Sequence, residues 1–363
     1  MEAKNLSSEA NIMAFSKHHP GDLESSQASH RAGAFVVTFF GVRGSIATPG
    51  PDTVEVGGNT SCVEIQCGDR HLVFDTGTGM RLLGQRLLRE RKRVKLSVFY
   101  SHMHWDHVQG LPFFTPLYMP GTELEFHGPK GLPAALAAQM SDPGFPVRFG
   151  DVPAKLSFSE LAEGMTVRLD ADTTVTCAKL NHPGGVLAYR IQYKDHAVVY
   201  ATDTEHYSCP DPKLVRLAQG ADLLIYDAQY DDDEYAGRHG APRTGWGHST
   251  FTEGVRVANA AGVRQLGLFH HDPAHTDAHV RVIEEAAQLL RPGTFACREG
   301  MSVTVAQYAH VLDGDGPGGG GPSGRGEAEP GRAEGAGQGL CNADTSTPPS
   351  ANLFSAIEGK VAA

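Results

Sequence analysis

The stretch Ser101-His102-Met103-His104-Trp105-Asp106-His107 decides how this chain is read. It follows Val94-Lys95-Leu96-Ser97-Val98-Phe99-Tyr100, a β-branched and aromatic run that reads as a buried strand. A strand that stops and at once delivers three imidazoles and a carboxylate sets four potential metal ligands at its carboxyl end, where the backbone turns to the surface. Imidazole nitrogen and carboxylate oxygen suit zinc, manganese or iron, and the H-x-H-x-D-H spacing lets alternate residues point into neighbouring pockets. A polar loop with surface histidines would look similar in isolation. That reading loses weight because distant strand ends supply the missing ligands.

On the N-terminal side, residues 62–67 and 71–75 read as strands joined by Gly68-Asp69, and the second ends at Asp75 before a glycine turn. A carboxylate closing a buried strand is costly unless hydrogen-bonded or near a cation, so Asp75 is expected to buttress the metal loop from behind. A helix follows, with Met80, Leu83, Leu87 and Leu88 on one face. Arg86, Arg89 and Arg91 are read as its solvated face. Further upstream, a strand over 34–40 opens into Gly41-Val42-Arg43-Gly44-Ser45, and glycines continue to Gly58. A loop this rich in glycine can approach a ligand closely, which makes Asn59 and Thr60 candidate substrate-facing donors.

On the C-terminal side, residues 123–127 alternate as a strand and 131–140 have helical spacing, whereas 141–155 is proline-punctuated and irregular. A lid or subunit contact is the expectation for it. The second half repeats the logic of the first: strands over 165–169, 173–180, 186–193 and 197–201 carry His182 and Asp203 at their ends. A helix over 212–219 leads to a strand over 222–227, and a charged loop (230–243) leads to Gly245-Trp246-Gly247-His248-Ser249-Thr250. Ser249 or Thr250 can cap a helix running to Ala261. A strand over 265–269 ends in His270-His271-Asp272, then come a helix over 277–290 and a last strand over 303–309.

Composition bounds the rest. A chain of 363 residues could hold two domains. One domain over 34–311 is favoured, with a polar leader (1–33) and a tail (312–363) of Gly, Pro, Ala, Glu and Ser that cannot bury enough surface to order itself. His18, His19 and His30 in the leader are read as solvated. A net charge of -11 repels phosphate backbones, so long nucleic acid is not the expected partner. No stretch reaches the roughly 18 apolar residues of a membrane span, and the leader lacks a signal peptide's apolar core. A cytoplasmic protein without a membrane partner is expected. Six cysteines without C-x-x-C spacing read as reduced thiols.

The strand-end ligands gather as His102, His104, Asp106, His107, His182, Asp203 and His270. Their order and spacing resemble the metallo-β-lactamase superfamily, over about residues 34–310. The resemblance implies an α/β fold, the four-layer αββα sandwich of two similar halves, and two divalent metal ions, zinc first with manganese also accepted. It assigns one ion to His102, His104 and His182 and the other to Asp106, His107 and His270, with Asp203 bridging. Histidine in place of cysteine at the second-metal position, the bridging aspartate and His248-Ser249-Thr250 resemble the phosphodiesterase branch: ribonuclease Z, the phosphoribosyl cyclic phosphate hydrolases and cyclic-nucleotide phosphodiesterases. There the histidine matching His248 donates a proton to the leaving group and an upstream acid orients it. Asp227 is the candidate, although ribonuclease Z carries glutamate at that place. His248, Asp106 and Asp227 are thus the candidate catalytic residues. Ribonuclease Z also carries a long basic arm, for which the tight strand pattern of 183–202 leaves no room. A small phosphodiester, such as a cyclic nucleotide or sugar phosphate, is the expected substrate. The alternatives are a ribonuclease Z-like RNA endonuclease, a thioester or lactone hydrolase of the same fold, and a non-catalytic metal-sensing module. The resemblance also implies a homodimer, to which the 113–155 segment could contribute.

Overall fold

The computed structural model describes residues 15–16, 33–90 and 93–307. The rest of the leader, with His18, His19 and His30, and the whole 312–363 tail lie outside the described residues.

In chain order the first strands are β1 (Phe15–Ser16), β2 (Ala34–Gly41), β3 (Cys62–Cys67), β4 (Arg70–Phe74), β5 (Lys95–Phe99), β6 (Glu123–Gly128) and β7 (Lys155–Glu160). The second series is β8 (Thr166–Arg168), β9 (Thr173–Leu180), β10 (Val186–Tyr193), β11 (His196–Ala201), β12 (Leu223–Asp227), β13 (Gln265–Phe269), β14 (Thr294–Ala296) and β15 (Ser302–Gln307). Helices α1 (Met80–Arg89), α2 (Trp105–Val108) and α3 (Leu132–Gln139) belong to the first half. To the second belong α4 (Pro212–Ala218), α5 (Asp232–Tyr235), α6 (Phe251–Ala261) and α7 (Asp277–Leu290).

Among the described residues the strands form two sheets, ordered β1-β15-β2-β3-β4-β5-β6-β7 and β14-β13-β12-β11-β10-β9-β8. Each sheet runs antiparallel through its hairpins, then turns parallel from β4 to β7 and from β11 to β14. The two halves therefore share one plan, as expected.

Alternation along the strands builds the layers. Leu72 and Phe74 of β4 and Leu223 and Ile225 of β12 point between the sheets, where they meet Phe39, Phe99, Tyr189, Tyr200 and Phe269. The intervening Val73 turns outward to Met80, Leu83 and Leu87 of α1. Leu224 does the same toward Leu214, Val255 and Ile283 on the helices of the second half. Apolar residues on both faces of a strand require cover on both sides, which gives helix, sheet, sheet, helix. The αββα sandwich is the observed architecture.

Several local expectations need correcting. Two residues of the leader, Phe15–Ser16, pair antiparallel with Val303 and Ser302. Strands β7 and β14 were not anticipated, and β7 sits at a sheet edge with a largely exposed KLSFSE sequence that has no buried alternation to reveal it. The irregular 141–155 segment is mostly exposed, but Phe149 and Ala154 are buried in the cluster that contains Met140 and anchor it to the first half. Arg86 is not solvated. Its guanidinium pairs with buried Glu64 across the sheet and lies 5.1 Å over the Phe40 ring. Burial pushes the Glu64 carboxyl up, but Arg86 and His71 outweigh it and hold it below the usual range. Cys62, Cys67, Cys177 and Cys297 are free thiols, as expected, and Cys341 lies outside the described residues. No helix among the described residues is long and apolar enough to cross a membrane.

Arg86→Met should lower the urea midpoint by about 1–3 kcal/mol of stability at unchanged m-value, because Glu64 is left buried with half its partners. Exposed Arg89→Ala should stay within about 0.5 kcal/mol of wild type. Equal midpoints for the two variants would show that the ion pair contributes nothing.

Candidate metal centre

The ligand-type side chains gathered from the sequence, and the aspartates behind them, sit just beyond strand carboxyl ends on one rim of the sandwich, whereas His248 reaches it from the loop ahead of α6. Asp75 follows β4, His102 and His104 follow β5, His182 follows β9, Asp203 follows β11, Asp227 closes β12 and His270 follows β13. Three of these residues reverse the chain abruptly: Asp75, Asp203 and His270 have left-handed backbones with φ of 59, 52 and 62°. Such conformations cost roughly 1–3 kcal/mol each in a non-glycine residue, and they concentrate where side chains must be aimed.

The side chains converge into two adjoining groups. His102, His104 and His182 form the first, with His182 Nε2 3.0 Å from His104 Nδ1. Asp106, His107, Asp203 and His270 form the second, where the His107 and His270 Nε2 atoms face each other at 3.3 Å. Asp106 Oδ2 lies 3.1 Å from both of those nitrogens, and Asp203 Oδ1 lies 3.2 Å from both. The other Asp203 oxygen, Oδ2, turns toward the first group, 3.7 Å from His102 Nε2 and 3.9 Å from His182 Nε2. Asp203 therefore straddles the two groups.

Ring nitrogens that face one another without protons between them repel, so the arrangement calls for a shared cation. Ligands about 2.0–2.1 Å from a tetrahedral metal stand about 3.3 Å apart, close to the separations seen here. The outward nitrogens give the same answer. His107 Nδ1 donates to Asp75 Oδ2 at 2.8 Å, His182 Nδ1 to the Gly247 carbonyl at 2.8 Å, His270 Nδ1 to Gln229 Oε1 at 2.9 Å and His102 Nδ1 to Ser101 Oγ at 3.0 Å. Each of these rings is thereby fixed with Nε2 inward, the tautomer a ligand needs. His102 Nε2 is buried and has no hydrogen-bond partner. The donor set fits divalent metal ions.

Electrostatics agree. Burial pushes His102, His104 and His182 below their ordinary range, leaving them neutral and able to ligate. Burial also lowers His107, but Asp106, Asp203 and Asp75 outweigh it and hold its proton well above the usual pH. That proton marks where positive charge is demanded.

Behind the ligands, Asp75 accepts four hydrogen bonds: from the Ser101 amide (2.8 Å), the Ser101 hydroxyl (2.7 Å), His107 (2.8 Å) and the Tyr200 phenol (2.9 Å). The expected buttress is what this carboxylate does. The glycine loop also reaches the site, since the Ser45 amide donates to Asp106 Oδ2 at 2.8 Å. A Cβ at Gly44 would fall 2.4 Å from His270 Nδ1, so no other residue fits there. Asn59 and Thr60, expected to face substrate, do not. Asn59 Nδ2 donates to Glu299 Oε2 at 2.9 Å, and its amide is also taken by Glu299. Thr60 is wholly buried and exchanges hydrogen bonds with Thr78. Both residues tie the loop down.

His248 lies beside the second group, its ring stacked on His270 at 4.9 Å. Its Nδ1 donates to Asp227 Oδ2 at 2.9 Å, and Asp227 also accepts from the Thr204, Gln229 and Ser249 amides. Burial draws the His248 imidazole down, but Asp227, Asp203 and Asp106 overcome this and push it up to about 9. Cations on those carboxylates would bring it down again. Sequence reasoning missed Gln229, which fixes the His270 tautomer, and Glu205, which accepts from the Gly245 and Gly247 amides and holds the loop before His248. Gln229 stands two residues after Asp227 on the same side of an extended chain, a signal that alternation could have supplied.

Fold and centre together define a metal-dependent hydrolase. Residues 70–271 match the model of the beta-lactamase superfamily domain. Over 330 residues the chain is 28% identical to ribonuclease Z from Synechococcus sp. (strain CC9311), an alignment covering 74% of this chain and 98% of that one. Among solved structures, the metallo-beta-lactamase fold protein YhfI from Bacillus subtilis superposes with a TM-score of 0.57 at 20% identity, covering 75% of this chain and 99% of that one. A diphosphatase from the PhnP family gives 0.55 at 18% identity, covering 74% and 96%. The chain belongs to the beta-lactamase superfamily, in its phosphodiesterase branch.

Asp75→Asn removes the carboxylate that orients His107 while keeping its shape. Metal affinity, measured by competition with a chromogenic chelator, should fall roughly 10- to 100-fold. Wild-type affinity in this variant would free Asp75 of the role.

Proposed function

We propose that this protein hydrolyses a small phosphodiester, a cyclic nucleotide or a sugar phosphate, at the joined histidine–aspartate groups. The observation that carries the reading is the His248–Asp227 pair, set at 2.9 Å beside the ligand cluster. Cleaving a phosphodiester expels an alkoxide, which needs a proton, and a ring held by Asp227 at Nδ1 keeps Nε2 as the acid position.

His102, His104 and His182 would hold one divalent ion and Asp106, His107 and His270 the other, with Asp203 shared; zinc is the first candidate and manganese the second. Such a pair supplies a Lewis acid and lowers the pKa of a bound water from 15.7 toward about 7. The remaining work falls to the chain itself. The Ser45 amide fixes Asp106, Gln229 fixes His270, and Gly247 fixes His182 while its successor, His248, delivers the proton.

Three features favour a small substrate. Strands β10 and β11 are joined across the Tyr193–His196 pair by a two-residue turn, which fills the interval where a transfer-RNA-gripping arm would emerge. The net charge of -11 opposes a long phosphate backbone. Next to His248, half-exposed Trp246 carries the Arg243 guanidinium over its ring at 4.5 Å, a flat cationic face suited to stacking one base.

Purified protein loaded with Zn²⁺ or Mn²⁺ and given a panel of 3′,5′ and 2′,3′ cyclic nucleotides, with nitrocefin and a lactone alongside, should open a phosphodiester ring and spare the other two classes. EDTA should abolish turnover and added metal restore it. Preferred hydrolysis of the lactone or nitrocefin would overturn the reading. His248→Ala should lower kcat roughly 10²- to 10⁴-fold for a ribose leaving group. For bis-p-nitrophenyl phosphate the loss should stay within about tenfold, because nitrophenolate departs without a proton. Equal losses on both substrates would remove His248 as the acid.

A further inference from the structure

Outside the hydrolase cluster, a second group of side chains with ligand chemistry lies where α5 meets the start of α7. His275 immediately precedes Thr276, the N-cap of α7, and His279 lies in the first turn of that helix. Thr276 caps that helix by accepting from the His279 amide at 3.2 Å. The two rings stack with centroids 4.0 Å apart. Glu234 arrives from a distant part of the chain, held by a capping box in which Asp231 accepts from the Glu234 amide and Glu234 Oε2 accepts from the Asp231 amide at 3.0 Å.

We infer that Glu234, His275 and His279 form a separate binding site for a zinc-class divalent cation. Their ligand atoms all lie within 4.8 Å of one another, and the Glu234 oxygens sit 2.9 and 3.1 Å from His275 Nε2. Asp231 Oδ2, 3.7 Å from His279 Nε2, is a natural fourth donor. A plain Glu–His hydrogen bond would account for Glu234 and His275 alone. It gives no reason for a second imidazole to stack on the first with another carboxylate facing it. His275 is itself only 3% exposed and turns Nε2 toward both Glu234 oxygens, so its ligand atom is already aimed into the group. Two imidazoles with one or two carboxylates select zinc, manganese or iron over calcium or magnesium. Glu234 and His279 are part-exposed, which leaves the ion a route from solvent.

An ion here would clamp the segment that follows His270. Arg43, fully buried, donates to the Asp272 and His275 carbonyls at 3.1 and 2.6 Å, and Gln229 links His270 with Asp272. The site uses none of the residues assigned to the hydrolase cluster, so it stands or falls separately from the proposed activity.

The test is elemental analysis of the full-length chain after zinc loading and exhaustive dialysis, with circular dichroism to confirm folding. Glu234→Gln with His279→Gln should carry one zinc equivalent fewer than wild type. His102→Ala with His270→Ala should still retain one. Cobalt(II) loading of that cluster variant should give a visible d–d spectrum that disappears when Glu234→Gln and His279→Gln are added. Zinc content in the Glu234/His279 variant equal to wild type, or a cluster variant with neither retained zinc nor a cobalt spectrum, would overturn the site. Should the double variant fail to fold, His279→Gln alone, a part-exposed change, gives the same readout through its weakened zinc affinity; wild-type affinity there would also overturn it.

Discussion

Four aspartates buried around one point are the constraint on which the rest of this structure turns. Asp75 and Asp227 are 0% exposed, Asp203 2% and Asp106 5%. Stripping water from a carboxylate costs several kcal/mol even after the protein relaxes, and like charges this close add to the cost. The neighbouring imidazoles offset only part of it: the aspartates keep His107 and His248 protonated, whereas burial holds His102, His104 and His182 in the neutral form. Hydrogen bonds satisfy Asp75 and Asp227, which touch several donors each. Asp106 and Asp203 instead face ring nitrogens, and there a cation is the physical solution. Native metal binding would then stabilise the folded chain by mass action, since the unfolded chain scatters the same ligands.

Bringing ligands from four strand ends to one place, with Asp75 and Asp227 from two more behind them, has a conformational cost that is visible in the backbone. A strand left to itself carries its last side chain away from the sheet edge. The left-handed turns at Asp75, Asp203 and His270 fold the side chain back over the rim instead. Packing holds them there: Phe74, Tyr200 and Phe269, next to these turns or beneath them, lie in the core between the sheets. The aromatic layer is therefore the platform for the centre as well as a source of stability.

Much of this was legible in the sequence, for a definable reason. The H-x-H-x-D-H run is contiguous, and strands with apolar residues on both faces announce themselves as continuous hydrophobic runs, so ligands at strand ends could be collected by reading boundaries. What failed depended on partners far away in sequence. Arg86 lies on the polar side of a helix pattern, and nothing local says that Glu64, on a neighbouring strand, is buried beneath it. Asn59 and Thr60 look like free donors until Glu299, some 240 positions later, is seen to hold the first. The edge strand β7 carries no buried alternation, and β14 spans only Thr294–Ala296. Periodicity reports burial along one element, and it is silent on which polar groups meet across elements.

The loop ahead of α6 shows how tightly His248 is coupled to the first histidine group. The Gly247 carbonyl accepts from His182 while its amide donates to Glu205, and the next residue is His248. With φ of 91° and a would-be Cβ only 2.3 Å from His182 Nδ1, position 247 accepts glycine alone. Any shift of this backbone moves His182 and His248 together. Arg243 and Trp246 stand apart from that path: the guanidinium lies between the Trp246 and Tyr230 rings, and the exposed Trp246 ring belongs to the loop that Glu205 pins at Gly245 and Gly247. The geometry thus separates a closely constrained histidine group from an exposed rim within a few residues of chain.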